Sequence, residues 1–173
     1  MRVVFSNVLR LILLFSVALQ NGNTLAAEFR YTNLEYGYAL RLPAELPRRT
    51  SEAPAPQHGF ALDLPSGGKI WVDGSYDAAL YGSAAAALTA LLPELDGKLP
   101  QARHFKLAKL DAARVSYAQG ELVSMRVIAY RPRLSAIAIV YTFALDTSPS
   151  QLLADRKLFD KLLKNFGVTR LPH

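Results

Sequence analysis

The chain has 173 residues, no cysteine and a formal net charge of +6, from 20 Lys and Arg against 14 Asp and Glu. That length suits one domain rather than two, and the missing thiols exclude disulfide staples, thiolate nucleophiles and lipid attachment through cysteine. With 51% hydrophobic residues, the chain can hold a core without cross-links.

The opening segment, MRVVFSNVLRLILLFSVALQNGNTLAAEF, has the parts of a secretory signal. Arg2 and Arg10 give a positive start, Leu11 to Leu19 a short apolar core, and Thr24-Leu25-Ala26 or Leu25-Ala26-Ala27 the small residues that signal peptidase needs. The apolar run falls short of the roughly 20 residues that span a bilayer, so cleavage near Ala26 or Ala27 is expected over a permanent anchor. The expected organisation is a signal peptide over 1–27 and a single domain over 28–173, periplasmic or secreted. Losing Arg2 and Arg10 lowers the charge to about +4, a mildly basic surface that suits an acidic partner but most often reflects solubility.

FRYTN and GYALRLP then read as short strands split by Glu35-Tyr36-Gly37. The proline-rich piece LPAELPRRTSEAPAPQ reads as an extended surface loop, because too little chain precedes it to make a domain. GFALDLP and KIWVDGSY flank Pro65-Ser66-Gly67-Gly68, a hairpin turn signal. Side chains alternate along a strand, so the parity of that turn decides which residues share a face. An odd connection gathers Phe60, Leu62, Leu64, Ile70 and Val72 on one apolar face and puts Asp63, Trp71 and Asp73 on the other. An even one mixes apolar and charged residues on both, so the odd connection is expected.

Ser83 is placed to cap a helix of alanines and leucines that runs to Leu92, before Pro93. HFKLAKL, ARVSYAQ, LVSMRVIAY and LSAIAIVYTFAL follow as an antiparallel meander, with turns at Gln119-Gly120-Glu121 and Arg131-Pro132-Arg133. Ile137, Ile139, Tyr141, Phe143 and Leu145 alternate onto one face as a core stripe. A second helix is expected to start at SPSQ, with Ser148 as N-cap, Pro149 at the first helical position and Gln151 at the capping-box position. Leu152, Leu158, Phe159, Leu162, Leu163 and Phe166 share its apolar face, and Gly167 ends it. Asp155 intrudes at the edge of that stripe, and the pattern gives no reason for it. The fold class is α+β: an antiparallel sheet of about six to seven strands with two helices packed on it.

Both ends of this pattern resemble a known family. YTNLEYGYALRLP, a tyrosine-rich strand followed by Gly37-Tyr38 and a strand ending in Pro43, is similar to the start of PsbP-like domains. IVYTFALDTSPSQLLADRKLFDKLLKNFGV, a long strand, a polar turn, a helix and a terminal Phe-Gly-Val, is similar to their end. The order of elements between them also fits that fold, which is shared with Ran-binding, Mog-type proteins and several bacterial envelope proteins. The resemblance implies a small α/β/α-like or α+β domain that acts as a binding or accessory module. It brings no shared catalytic residue, so none is carried over.

Groups able to carry chemistry are sparse. His58 sits at a loop-to-strand junction within reach of Asp73 or Asp77, with Ser66, Ser75 and Ser83 as candidate nucleophiles. No G-x-S-x-G spacing occurs, and a solvated loop histidine is the plainer reading. There is no H-E-x-x-H, no histidine pair at helical spacing and no Asp-rich calcium loop, and PSGGK lacks the phosphate-loop spacing, so no metal or cofactor is expected. Arg126, Arg131 and Arg133 gather about one hairpin end around Tyr130. Such a patch can grip phosphate or carboxylate, although charged turn residues usually mark a solvated surface.

The stretch WVDGSYDAALYGS is the richest. Trp71, Tyr76 and Tyr81 exceed what a turn needs and lie among Asp73 and Asp77. Exposed, they make a contact surface; buried against the alanine-rich helix, they are ordinary core, and propensity does not choose. The function expected is an exported, non-enzymatic module that recognises another envelope protein, as an adaptor, chaperone-like factor or immunity protein. Its surface would comprise Trp71, Asp73, Tyr76, Asp77 and Tyr81, with Arg126, Arg131 and Arg133 as a further patch. No nucleic-acid partner is expected. The alternative is a small periplasmic hydrolase or ligand-binding enzyme using His58 with Asp73 or Asp77.

Overall fold

A computed structural model describes residues 29–46, 50–51, 58–92, 100–134 and 136–171. The expected signal segment, Pro93 and most of the proline-rich loop lie outside the described residues. Runs of β-branched and aromatic residues fold into two antiparallel sheets. In the smaller, β2 (Tyr38–Leu42) lies between β1 (Phe29–Asn33) and the terminal strand β10 (Phe166–Val168). The larger begins with β3 (Thr50–Ser51), β4 (Gly59–Asp63) and β5 (Lys69–Tyr76). It continues through β9 (Ile139–Thr147), β8 (Leu122–Arg131), β7 (Leu110–Gln119) and β6 (Arg103–Leu107) in that spatial order. Two helices complete the described fold, α1 (Ala84–Leu91) and α2 (Leu152–Lys164). The α+β class, the seven-stranded antiparallel sheet and its two helices match the sequence reading.

Parity decides the core. Phe60 pairs with Val72 and Leu62 with Ile70, so five residues connect β4 to β5 and the apolar set falls on one face. That face, extended by Val127, Phe143 and Leu145, packs beneath Tyr38 and Leu40 of the small sheet and Phe159 and Leu162 of α2. The opposite face receives α1, whose Ala84, Ala87 and Leu88 are buried against Ala113, Val115, Ile128 and Val140. An isolated helix of eight residues is not stable in water, so α1 depends on this packing and on its cap. The Ser83 hydroxyl supplies the cap by accepting from the Ala86 N–H at 3.1 Å.

Four details depart from the sequence reading. HFKLAKL is not one strand: it breaks at Ala108-Lys109, where φ is 48° and 70° and Leu107 pairs with Leu110. This two-residue hairpin needs the left-handed backbone that glycine or asparagine usually provides, so its residues do not announce it. The last strand begins only at Ile139, which leaves Ile137 half-exposed and outside the core stripe. SPSQ forms a separate turn, closed by Gln151 N–H donating to Ser148 O at 3.1 Å, and α2 starts at Leu152 without a side-chain cap. At its other end α2 stops at Lys164, and Phe166 reaches the core from β10, paired with Leu40. A helical stripe and a short strand look alike when the shared residue sits at their junction.

The intruding Asp155 now has a reason. Its carboxylate is buried and accepts from the Ser66 hydroxyl at 2.8 and 2.9 Å and from the Thr147 hydroxyl. It thereby ties the β4–β5 turn and the end of β9 to the first turn of α2. Gly68 is the residue that admits it, because a Cβ there would lie 2.8 Å from Asp155 Oδ2. Asp155→Ala strips one buried and one partly buried hydroxyl of their acceptor and is expected to cost about 2–3 kcal/mol in urea unfolding. A loss below about 0.5 kcal/mol, the range of an ordinary surface change, would show that the carboxylate holds nothing.

Candidate functional site

Along β5, alternation sends Ile70 and Val72 inward and leaves Trp71, Asp73 and Ser75 on the outer face. Their partners across β9 are Ala144, Thr142 and Val140. The helix α1 covers the β7–β8 side of this face and reaches only the edge of β9 at Val140. What remains open is a groove of about 490 Å³. Its floor is Trp71, Asp73, Ser75 and Thr142, and its wall is Tyr81 with Leu91 at the end of α1.

The wall is set by Asp77. Its buried carboxylate accepts from the N–H groups of Tyr81 at 2.9 Å and Gly82 at 3.3 Å, and from the Tyr130 hydroxyl at 3.0 Å. The Asp77 N–H donates to Ala138 O at 2.8 Å. One side chain therefore folds the 77–82 loop back so that Tyr81 flanks the groove while packing beside α1. Burial pushes the Asp77 carboxyl up, but the three donors outweigh it and hold the group below the usual carboxylate value.

Asp73 is the opposite case. It is partly buried on the groove floor, with the His58 imidazole 3.9 Å away. Burial pushes its carboxyl above the usual value, and the charge of His58 offsets this only in part. The structure thus spends the Asp77 charge on a loop and leaves the Asp73 charge poorly compensated in a mostly apolar hollow.

Trp71 is half-buried, neither core nor free surface. The Arg126 guanidinium lies 4.7 Å from its ring centroid, held there by the Asp146 carboxylate at 2.8 and 3.3 Å. The Ser124 hydroxyl donates to the same carboxylate at 2.6 Å. Tyr76 borders the groove at the end of β5, while its own ring stacks 5.2 Å from Tyr36, which belongs to the inner core. Trp71, Asp73, Asp77 and Tyr81 therefore meet around one hollow, with Arg126 behind Trp71.

Arg126, Arg131 and Arg133 do not form one patch. Positions 126 and 131 differ by an odd number, so a strand turns them to opposite faces. Arg131 donates to Gly37 O and Thr169 O, both at 3.1 Å, and to the Tyr141 hydroxyl at 3.3 Å. It is a tie between the sheets. Arg133 lies in the loop beyond β8, partly buried. Of the serines considered with His58, Ser66 is held by Asp155 and Ser83 caps α1. Sequence reasoning missed Thr142, Leu91 and Val140 as lining residues, since each enters through strand pairing or the end of a helix.

No protein-family model matches the chain, and no curated protein matches it in sequence. In structure it is similar to cyanobacterial PsbP (CyanoP) from Synechocystis sp. PCC 6803, with TM-score 0.56 and 14% identity over 86% of this chain and 96% of that one. A protein from Bacteroides thetaiotaomicron matches at TM-score 0.52 and 10% identity over 84% of this chain, which spans only 50% of that longer one. LpqN of Mycobacterium tuberculosis, described as involved in cell envelope biogenesis, matches at TM-score 0.48 and 13% identity, covering 87% and 88% of the two chains. The fold is PsbP-like, as the two ends of the sequence implied. Among the described residues no helix is long and apolar enough to cross a membrane.

The two aspartates predict stability changes of opposite sign. Asp73 binds its proton more tightly when folded, so its ionised form costs stability as pH rises above its ordinary value. Asp73→Asn is expected to raise Tm at pH 7, with the gain fading as pH falls through the raised value and gone below about pH 4. Asp77 binds its proton less tightly when folded, so its contribution is present at neutral pH and lost as pH falls through its lowered value. Asp77→Asn is expected to cost about 1–3 kcal/mol at pH 7, shrinking in acid. Thermal melts of both variants across pH check this, and changes of the same sign at pH 7 would refute it.

Proposed function

We propose that the protein is an exported, non-enzymatic binding module that recognises another envelope protein through the groove beside α1. The observation that carries this reading is the half-covered outer face of β5 and β9, where Trp71, Tyr81 and Leu91 surround an under-compensated carboxylate. A sheet face so lined loses stability unless something covers it, and its retention fits a site kept for binding. The partner this chemistry suits is a protein segment that sets an apolar side chain between Trp71 and Tyr81 and a lysine or arginine against Asp73. The export segment at 1–27 and the role implied for PsbP-like domains agree with an accessory factor of the envelope. For hydrolysis, Ser66 and Ser83 are committed to Asp155 and to the α1 cap, which leaves Ser75 on the groove floor beside His58 and Asp73.

The test is crosslinking of the mature, tagged chain in periplasm, followed by affinity measurement with the purified partner. Trp71→Ala and Asp73→Lys are expected to weaken binding by about thirtyfold or more, as removal of a central anchor does. Leu153→Ala, on the exposed side of α2, is expected to leave it unchanged. A partner held equally well by folded Trp71→Ala and Asp73→Lys proteins would remove the groove from the interface.

A further inference from the structure

On the other side of the sheet, three guanidinium groups converge around a single carboxylate among the described residues. Arg103, Arg114 and Arg156, with Ser116 and Gln101, line a cleft of about 380 Å³ between the β6–β7 edge and α2. Arg103 stands directly opposite Arg114 in the ladder. Like charges in that position repel, and an ordinary sheet places opposite charges there, as this one does with Lys106 and Asp111 at 3.5 Å.

The carboxylate supply is short. Asp160 serves both Arg114, at 3.8 Å, and Arg156, at 3.6 Å. Among the described residues, no carboxylate lies within 4.0 Å of the Arg103 guanidinium. Among the described residues three positive groups thus face one negative group, a surplus of two charges. A charged edge strand also blunts pairing with other chains, but that purpose needs no third arginine brought in from a helix on the sheet's face.

We propose that this cleft binds a phosphomonoester group. A dianion with tetrahedral oxygens matches a surplus of two charges, and planar guanidinium forks deliver paired N–H groups to such oxygens. The Ser116 hydroxyl and Gln101 amide supply further donors at the rim. Beside the cleft, and sharing Arg114 and Arg156 with it, lies a hollow of about 490 Å³ lined by Phe105, Leu107 and Phe166. It gives room for the organic part of the ligand next to its phosphate. Two sources present this chemistry, a soluble phosphate ester and the headgroup of a phosphatidic-acid-type lipid.

The experiment titrates the mature chain with inorganic phosphate and with glycerol 3-phosphate at constant ionic strength, following arginine side-chain N–H signals by NMR. A parallel arm floats the protein with phosphatidylcholine vesicles, with and without phosphatidic acid. The signals of Arg103, Arg114 and Arg156 are expected to shift together and to saturate. Arg103→Gln and Arg156→Gln are each expected to weaken binding about tenfold or more. Arg103 is on an exposed edge, so its variant retains the fold, and without anion it is expected to melt no lower than wild type as the repulsion with Arg114 is relieved. Saturable, arginine-dependent binding of the soluble esters alone assigns the first source, and arginine-dependent flotation assigns the lipid. Shifts that chloride reproduces, or binding in both arms indifferent to the two variants, would overturn the proposal.

Discussion

The Tyr141 hydroxyl donates to the Tyr36 carbonyl at 2.7 Å in a fully buried position, and Arg131 beside it donates to Gly37 O and Thr169 O. These bonds join the β1–β2 turn and the chain after β10 to the middle of the large sheet. Without them the Tyr36 carbonyl would lose its buried donor, at a cost of about 1–3 kcal/mol, while Gly37 O would keep only the Thr169 N–H at 2.8 Å. The turn itself depends on Gly37, whose φ of +61° would strain any other residue and whose missing Cβ lets Leu171 and Arg131 approach. Gly74 repeats the theme from the large sheet, since a Cβ there would meet Tyr36 at 2.8 Å. Two glycines and one tyrosine hydroxyl thus let the small sheet lie flat on the large one. Asp155 fastens the far end, so the inner face is closed at both margins.

Covering one face with a sheet and a long helix leaves little of the described chain for the other. The described remainder is an eight-residue helix, enough to cover β7 and β8 but not β5. The groove is the consequence of that shortage, and Asp77 makes it a shaped one. Two aspartates four positions apart show how neighbouring residues acquire different work. Asp77 lies where backbone N–H groups converge, so its charge is consumed in holding the loop. Asp73 lies on a pleat with the backbone already paired, so among the described residues only the His58 imidazole at 3.9 Å answers its charge.

Much of the fold is legible because period-two patterning is local and its parity is testable. Asp63, Trp71 and Asp73 could share a face only across an odd turn, and they do. The same rule, applied to Arg126 and Arg131, separates residues that look clustered in sequence. What stayed hidden involves long-range partners or unusual backbone. Asp155 is intelligible only once Ser66, 89 positions away, is beside it. The Ala108-Lys109 turn carries no glycine, and β10 is a strand only because β2 is there to receive it. In the groove, Trp71 and Asp73 could be read from the pattern, whereas Thr142 and Leu91 belong to elements that sequence alone does not set beside β5.

The arginine cleft was invisible for a related reason. Arg103, Arg114 and Arg156 are far apart in sequence, and each alone is an ordinary surface cation. Their meeting follows from two separate facts, the β6–β7 register and the seating of α2 on the inner face. That places the cleft and the groove on opposite faces of one sheet, with no lining residue in common. Binding at one therefore leaves the other accessible. The two proposed sites would also answer to different forces: partly exposed guanidinium groups attract an anion in a way that salt screens over about 8–10 Å, while the Trp71–Tyr81 hollow would work by excluding water. If both proposals hold, a domain of this size binds an anionic ligand on one face and a protein segment on the other at once.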